Sequence, residues 1–199
     1  MDSFEEIRTF YNSNFREFGS GIRSVGWSTF ESQRLRYQIL LNGEDLRGRS
    51  ILDLGCGMGA LIPIIREQVG DDFRYIGVDV TTSFISYCKG QFSQKNMEFI
   101  EGNFLEVQLP EVDYVIASGV FTLNVPGMAE YTEECLRKMF RLSRIACAAN
   151  FLSTQADFEL EKNLHYDPTI VLGSALQLTQ NVMLIHGIPK FEFSVILRK

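Results

Sequence analysis

Metal-binding and disulfide-forming side chains are scarce in this chain, which has two histidines and four cysteines. Cys56, Cys88, Cys135 and Cys147 contain no C-x-x-C pair. Neither a zinc site nor a disulfide scaffold is indicated, and reduced, buried thiols are expected. Basic charge is also short: 19 Lys and Arg stand against 25 Asp and Glu, a net charge of −6. That balance disfavours a general electrostatic grip on nucleic acid or on an anionic membrane. No uninterrupted apolar run approaches the length of a membrane span, and Met1 to Phe10 is polar and acidic. The expectation is a cytoplasmic protein without a membrane segment. Repeats, linkers and low-complexity runs are missing too.

Apolar residues make up 45% of the 199 positions, enough for one domain with a substantial core. Phe4, Ile7, Tyr11, Phe15 and Phe18 recur at helical spacing, which predicts a helix from Phe4 to Phe18. Gly19-Ser20-Gly21 breaks it, and Ser28 with Glu31 marks the start of a second helix over Thr29 to Leu41. Residues 1–49 therefore read as a helical cap and residues 50–199 as the core. The cap holds seven of the thirteen arginines, no lysine and seven acids. Surface pairing accounts for most of these, but Arg23 and Arg34 are candidates to meet a ligand carboxylate, for which the guanidinium fork is suited.

The core opens on Ile51-Leu52-Asp53-Leu54-Gly55-Cys56-Gly57-Met58-Gly59-Ala60-Leu61. The apolar tetrad reads as a buried parallel strand and the glycines as a tight turn into a helix. Glycine accepts positive φ and lets a ligand approach bare backbone, and the next helix's first N–H groups face that ligand. The spacing also satisfies G-x-G-x-x-G/A, with Asp79 at the distance of a ribose-binding acid, so a dinucleotide remains an alternative here.

Strand and helix signals then alternate. Helices are predicted over Ala60 to Val69, Thr82 to Ser93, Glu130 to Leu142 and Thr169 to Gln177. Strands are predicted over Phe73 to Val80, Met97 to Phe104, Val112 to Ser118 and Arg144 to Leu152. Val182 to Ile188 and Phe191 to Arg198, joined by a short turn, must pair antiparallel.

Three features separate the alternatives: Gly59 makes the run G-x-G-x-G, Asp53 stands two residues before the first glycine, and the segment begins at residue 51. With these the stretch resembles the class I S-adenosylmethionine-dependent methyltransferases. The resemblance implies an α/β, Rossmann-like, seven-stranded sheet. It is mostly parallel, with a C-terminal antiparallel hairpin, helices on both faces and an N-terminal helical cap. It implies S-adenosylmethionine as cofactor. Asp53, Gly55, Cys56, Gly57 and Gly59 would surround the methionyl portion, Asp79 with Val80 the ribose, and Asn103 with Phe104 the adenine. Asn103 stands where the family usually has an acid. The loop from Ser118 to Asn124 would border the methyl group, and it lacks the Asn/Asp-Pro-Pro-aromatic run of adenine-amine methylating enzymes.

Methyl transfer from a sulfonium is an in-line displacement, and a base is needed only where the acceptor must lose a proton. His165, in the polar stretch after the fifth strand, is the candidate base. Tyr11, Tyr166 and Asn124 are candidates to orient an acceptor, and Trp27 and Phe121 to wall its pocket. With so little chain outside the core, a small-molecule acceptor is expected. A protein or tRNA acceptor, or a non-catalytic binding protein, is the alternative.

Overall fold

The computed structural model describes residues 3–158 and 160–199. The cap comprises α1 (Ser3–Phe18), a short 3-10 turn (Ile22–Val25) and α2 (Phe30–Leu41). The core runs β1 (Arg49–Leu54), α3 (Leu61–Val69), β2 (Phe73–Asp79), α4 (Thr82–Gln91), β3 (Met97–Glu101), β4 (Val112–Ala117) and α5 (Met128–Leu142). It continues with β5 (Ser143–Ser153), β6 (His165–Tyr166), α6 (Pro168–Leu176), β7 (Val182–His186) and β8 (Glu192–Arg198). The strand order is β3-β2-β1-β4-β5-β8-β7, with β6 paired to β5. Strands β1 to β6 pair in parallel, and β8 lies antiparallel to both β5 and β7. The sheet thus has the expected plan with one addition, the two-residue β6. Among the described residues no helix is long and apolar enough to cross a membrane.

β1 lies between two parallel neighbours, and alternation sends its side chains to opposite cores. Leu52 and Leu54 join the core under α5 and α6, whereas Ile51 joins the one under α2, α3 and α4. Burial on both faces explains the unbroken apolar run. Several boundaries differ from the expectation by one to three residues, and two of them have a local cause. β3 stops at Glu101, because Asn103 Oδ1 accepts the Leu105 N–H at 3.0 Å and turns the chain. α5 starts at Met128 behind Gly127, whose φ is +78°.

The cap is fastened at two places. On α1, Arg8 Nε donates to the Val80 carbonyl at 3.2 Å, and Asn12 Oδ1 accepts from Ser83 Oγ at 2.7 Å. On α2, the buried Arg36 pairs with Glu192 of β8, with Nε 2.8 Å from Oε2. Arg36 also donates to the Ser32 carbonyl at 2.6 Å and lies 4.5 Å from the Trp27 ring centroid. Glu192 accepts in addition from Asn150 Nδ2 at 3.2 Å.

Removing one partner of a buried pair strands the other charge. Glu192→Ala is expected to lower the unfolding free energy by about 3–5 kcal/mol, and pairing Arg36→Met with Glu192→Leu to restore most of it. Urea unfolding checks this; a loss below about 1 kcal/mol for Glu192→Ala would mean that the pair behaves as a surface pair.

Candidate functional site

The carboxyl ends of β1 and β2 lie side by side, with Leu54 opposite Val78. Leaving β1, the chain turns at Gly55, whose φ is +65°. The N–H groups of Gly55 and Cys56 both donate to the Val78 carbonyl, at 2.8 and 3.1 Å. One residue on, the Gly57 N–H donates to Asp79 Oδ2 at 2.9 Å, while Asp79 Oδ1 accepts the Thr81 N–H at 2.8 Å. The acid ending β2 is therefore held by the turn that follows β1. A Cβ on Gly55 would lie 2.6 Å from Val120 Cγ2, so the close packing of the loop after β4 depends on a bare backbone here.

Above this turn lies a cavity of about 780 Å³, counting the part open to solvent. α1 contributes Phe4, Ile7 and Tyr11, one stripe at helical spacing, and α2 contributes Gln33 and Tyr37. Gly102, Phe104 and Tyr131 line it beside the end of β3, and Ser118, Gly119 and Val120 after β4. Its lining contains Asp79 and no lysine, arginine or histidine.

Burial raises the Asp79 carboxyl, against the two backbone N–H bonds that lower it. Asp53, fully buried, is pushed up to about 7 by burial and by Asp79, although the Tyr75 hydroxyl donates to its Oδ2 at 2.6 Å. Asp53 Oδ1 and Ser118 Oγ are buried without a hydrogen-bond partner among the described residues. Burial and Asp79 push the Tyr11 phenol up to about 12, so it stays protonated at neutral pH and acts as a donor.

Of the residues singled out from sequence, Gly55, Cys56, Gly57, Asp79, Val80, Phe104, Ser118, Tyr11 and Trp27 line this cavity. The others lie elsewhere. Asp53 is not in the lining, and Gly59 faces Phe92, 2.8 Å from where its Cβ would be. Asn103 Oδ1 accepts from the Tyr131 hydroxyl at 3.1 Å and from Leu105, so its carbonyl oxygen is committed within the fold. Phe121 is buried in the core, its ring centroid 5.6 Å from that of Phe151. Asn124 donates through Nδ2 to the Glu161 carbonyl at 3.0 Å. Arg34 is paired with Glu67 at the surface, and Arg23 is exposed on the 3-10 turn. His165 sits in β6 opposite Leu152, outside the lining. Tyr166 bonds Thr132 Oγ1 at 2.8 Å and packs its ring against Phe151.

Val25, Gln33, Tyr37 and Tyr131 line the cavity without having been anticipated. Gln33 and Tyr37 are four apart on α2, a spacing that places them on one helix face. It does not say which face meets a ligand.

The family model of the methyltransferase domain matches residues 45–180. Rv1506c of Mycobacterium tuberculosis, a methyltransferase by name, is 28% identical over 158 residues, 75% of this chain and 93% of its own length. A demethylmenaquinone methyltransferase of Lactococcus lactis is 30% identical over 107 residues, 52% of this chain and 42% of the relative. The chain thus spans less than half of that second relative. The crystal structure of magnesium protoporphyrin IX methyltransferase from Synechocystis PCC 6803 with bound SAH superposes with a TM-score of 0.73, over 98% of this chain and 99% of that one. At 12% identity this last likeness is one of fold. The chain belongs to the methyltransferase domain family, the class I S-adenosylmethionine-dependent methyltransferases that its sequence resembles.

Proposed function

We propose that the cavity over the glycine turn binds S-adenosylmethionine and that the chain methylates a small-molecule acceptor. The observation that carries this reading is the cavity's charge. Among the described residues its lining contains Asp79 and no basic side chain, while the nearby Asp53 is raised by its own burial and by Asp79. Two acids without a counter-cation favour a ligand bearing a sulfonium and an ammonium group. They oppose the pyrophosphate of a dinucleotide.

The buried, unpartnered Ser118 Oγ in the lining is consistent with a polar ligand that supplies what the chain does not. Asp79 spends one backbone N–H bond on each oxygen and keeps lone pairs for two ribose hydroxyls. Phe104 and Tyr131 offer ring surface to an adenine. When bound, the cofactor supplies an activated methyl group on a good leaving group. The chain's own part is to hold, align and shield the reactants. The Lactococcus and Synechocystis enzymes are named for demethylmenaquinone and magnesium protoporphyrin IX, both small molecules, in line with the acceptor class proposed.

Asp79→Ala is expected to weaken S-adenosylmethionine binding by roughly 1–3 kcal/mol, from ligand hydroxyls left unpaired. Calorimetric titration reads this; unchanged affinity would remove Asp79 from the site. A second outcome concerns protons. A cation beside Asp53 lowers its pKa from about 7, so binding near pH 7 releases a fraction of a proton. Titrations in buffers of different ionisation enthalpy should show this release for S-adenosylmethionine, less for S-adenosylhomocysteine, and none for the cation in Asp53→Asn. Equal release by both ligands would place the ammonium that both carry, rather than the sulfonium, beside Asp53, and no release by either would place the positive charge away from it.

A further inference from the structure

A second cavity, of about 830 Å³ counting its open part, adjoins the first. Tyr11, Val25, Trp27 and Gly119 line both, so the two meet at these four residues. The partition is tight: a Cβ on Gly119 would lie 2.5 Å from Trp27 Cζ2. Away from it, Phe10, Leu123, Leu152 and Leu160 make the second cavity's surface apolar. Phe10 and Leu160 are 42% and 46% exposed, a large solvent share for such side chains.

The charge is reversed relative to the first cavity. Among the described residues the exposed Lys162 is the one charged side chain in the lining, in a chain of net charge −6. Among the described residues no acid lines the cavity and no carboxylate ion-pairs with Lys162. Its backbone is also held in place. The Asn124 N–H donates to the Lys162 carbonyl at 2.9 Å, and the Leu164 N–H to the Thr122 carbonyl at 2.9 Å. The loop after β4 and the loop after β5 are thereby stitched into one wall, through an antiparallel bridge between Leu123 and Asn163.

We propose that this second cavity is the acceptor site. Its occupant is an apolar ring compound carrying an anionic group, with the anion at Lys162 and the atom to be methylated at the Tyr11–Trp27–Gly119 partition. The proposal rests on the cofactor reading of the first cavity. In the transfer, a lone pair on the acceptor atom forms the new bond to the methyl carbon. The electrons of the breaking carbon–sulfur bond leave with sulfur, and any proton on the acceptor atom passes to water. An acidic first cavity and a basic second one sort a cationic cofactor from an anionic acceptor before either is bound.

The probe is 8-anilinonaphthalene-1-sulfonate, an aromatic anion, with N-phenyl-1-naphthylamine as its neutral counterpart, added to the full chain saturated with S-adenosylhomocysteine. Calorimetry first establishes that S-adenosylhomocysteine binds; failure there overturns the cofactor reading, and it is seen before any probe is added. With the cofactor product bound, one equivalent of the sulfonate is expected to bind and to quench Trp27, the single tryptophan. Lys162→Gln should weaken the sulfonate by roughly 1.5- to 5-fold, the size of one exposed ion pair. Lys162→Arg should retain it, and neither variant should change affinity for the neutral probe or for S-adenosylhomocysteine. A sulfonate that binds Lys162→Gln as well as the native chain overturns the proposal. So does an equal loss of the neutral probe, or no sulfonate binding to a chain that holds S-adenosylhomocysteine.

Discussion

Arg36 and Glu192, 156 positions apart, form an ion pair whose side chains are only 9% and 8% exposed. Two charges withdrawn from water are costly unless every remaining donor and acceptor is used. Here the surrounding groups do so. The Ser32 carbonyl accepts from Arg36, the Trp27 ring lies against its guanidinium, and Asn150 donates to Glu192. Asn150 in turn accepts the Gly119 N–H through Oδ1 at 2.8 Å. One buried pair therefore ties together α2, Trp27, β5, β8 and the start of the loop after β4. Two of these, Trp27 and the start of the loop after β4, belong to the partition between the two cavities, so that side of the partition is positioned by the pair.

The cavity over the glycine turn depends on a different constraint, carried by backbone. Parallel pairing brings the ends of β1 and β2 level, and the glycine turn then has only the Val78 carbonyl and the Asp79 carboxylate to satisfy its first N–H groups. This makes Asp79 both a structural acceptor and an acid that faces the cavity. Holding it costs stability, because burial raises both Asp79 and Asp53 and neither has a cationic partner. A site strained in charge before binding gains from the cation that relieves it.

What was legible in the sequence was what neighbouring residues decide among themselves. The glycine turn, the acid at the end of β2, the helix cap at Asp167-Pro168 and the antiparallel hairpin depend on local spacing, and the fold carries each of them. What was not legible depends on partners far away in the chain. Nothing in residues 30–41 separates Arg34, paired with Glu67 at the surface, from Arg36, buried against β8. Asn103 sits at the right point after β3, but its amide is consumed by a turn and by Tyr131 from α5. His165 lies in the stretch where a base was sought, yet β6 draws it against β5, a two-residue pairing too short for any periodicity to announce.

On the proposed reading, the chemistry follows from what faces the partition. Tyr11 stands on both sides of it and is a phenol at neutral pH, able to donate a hydrogen bond and unable to take a proton. Neither lining contains a histidine, and both oxygens of Asp79 already accept backbone N–H groups. An acceptor held there would react through a lone pair already exposed at neutral pH, or lose its proton to water after the bond has formed. Alignment of two ligands across Tyr11, Val25, Trp27 and Gly119 is then the principal source of rate, and effective concentrations of about 10⁵ M or more are available from such alignment. Rigidity at the partition thereby becomes a catalytic property, and the buried pair of Arg36 and Glu192 is where the fold supplies it.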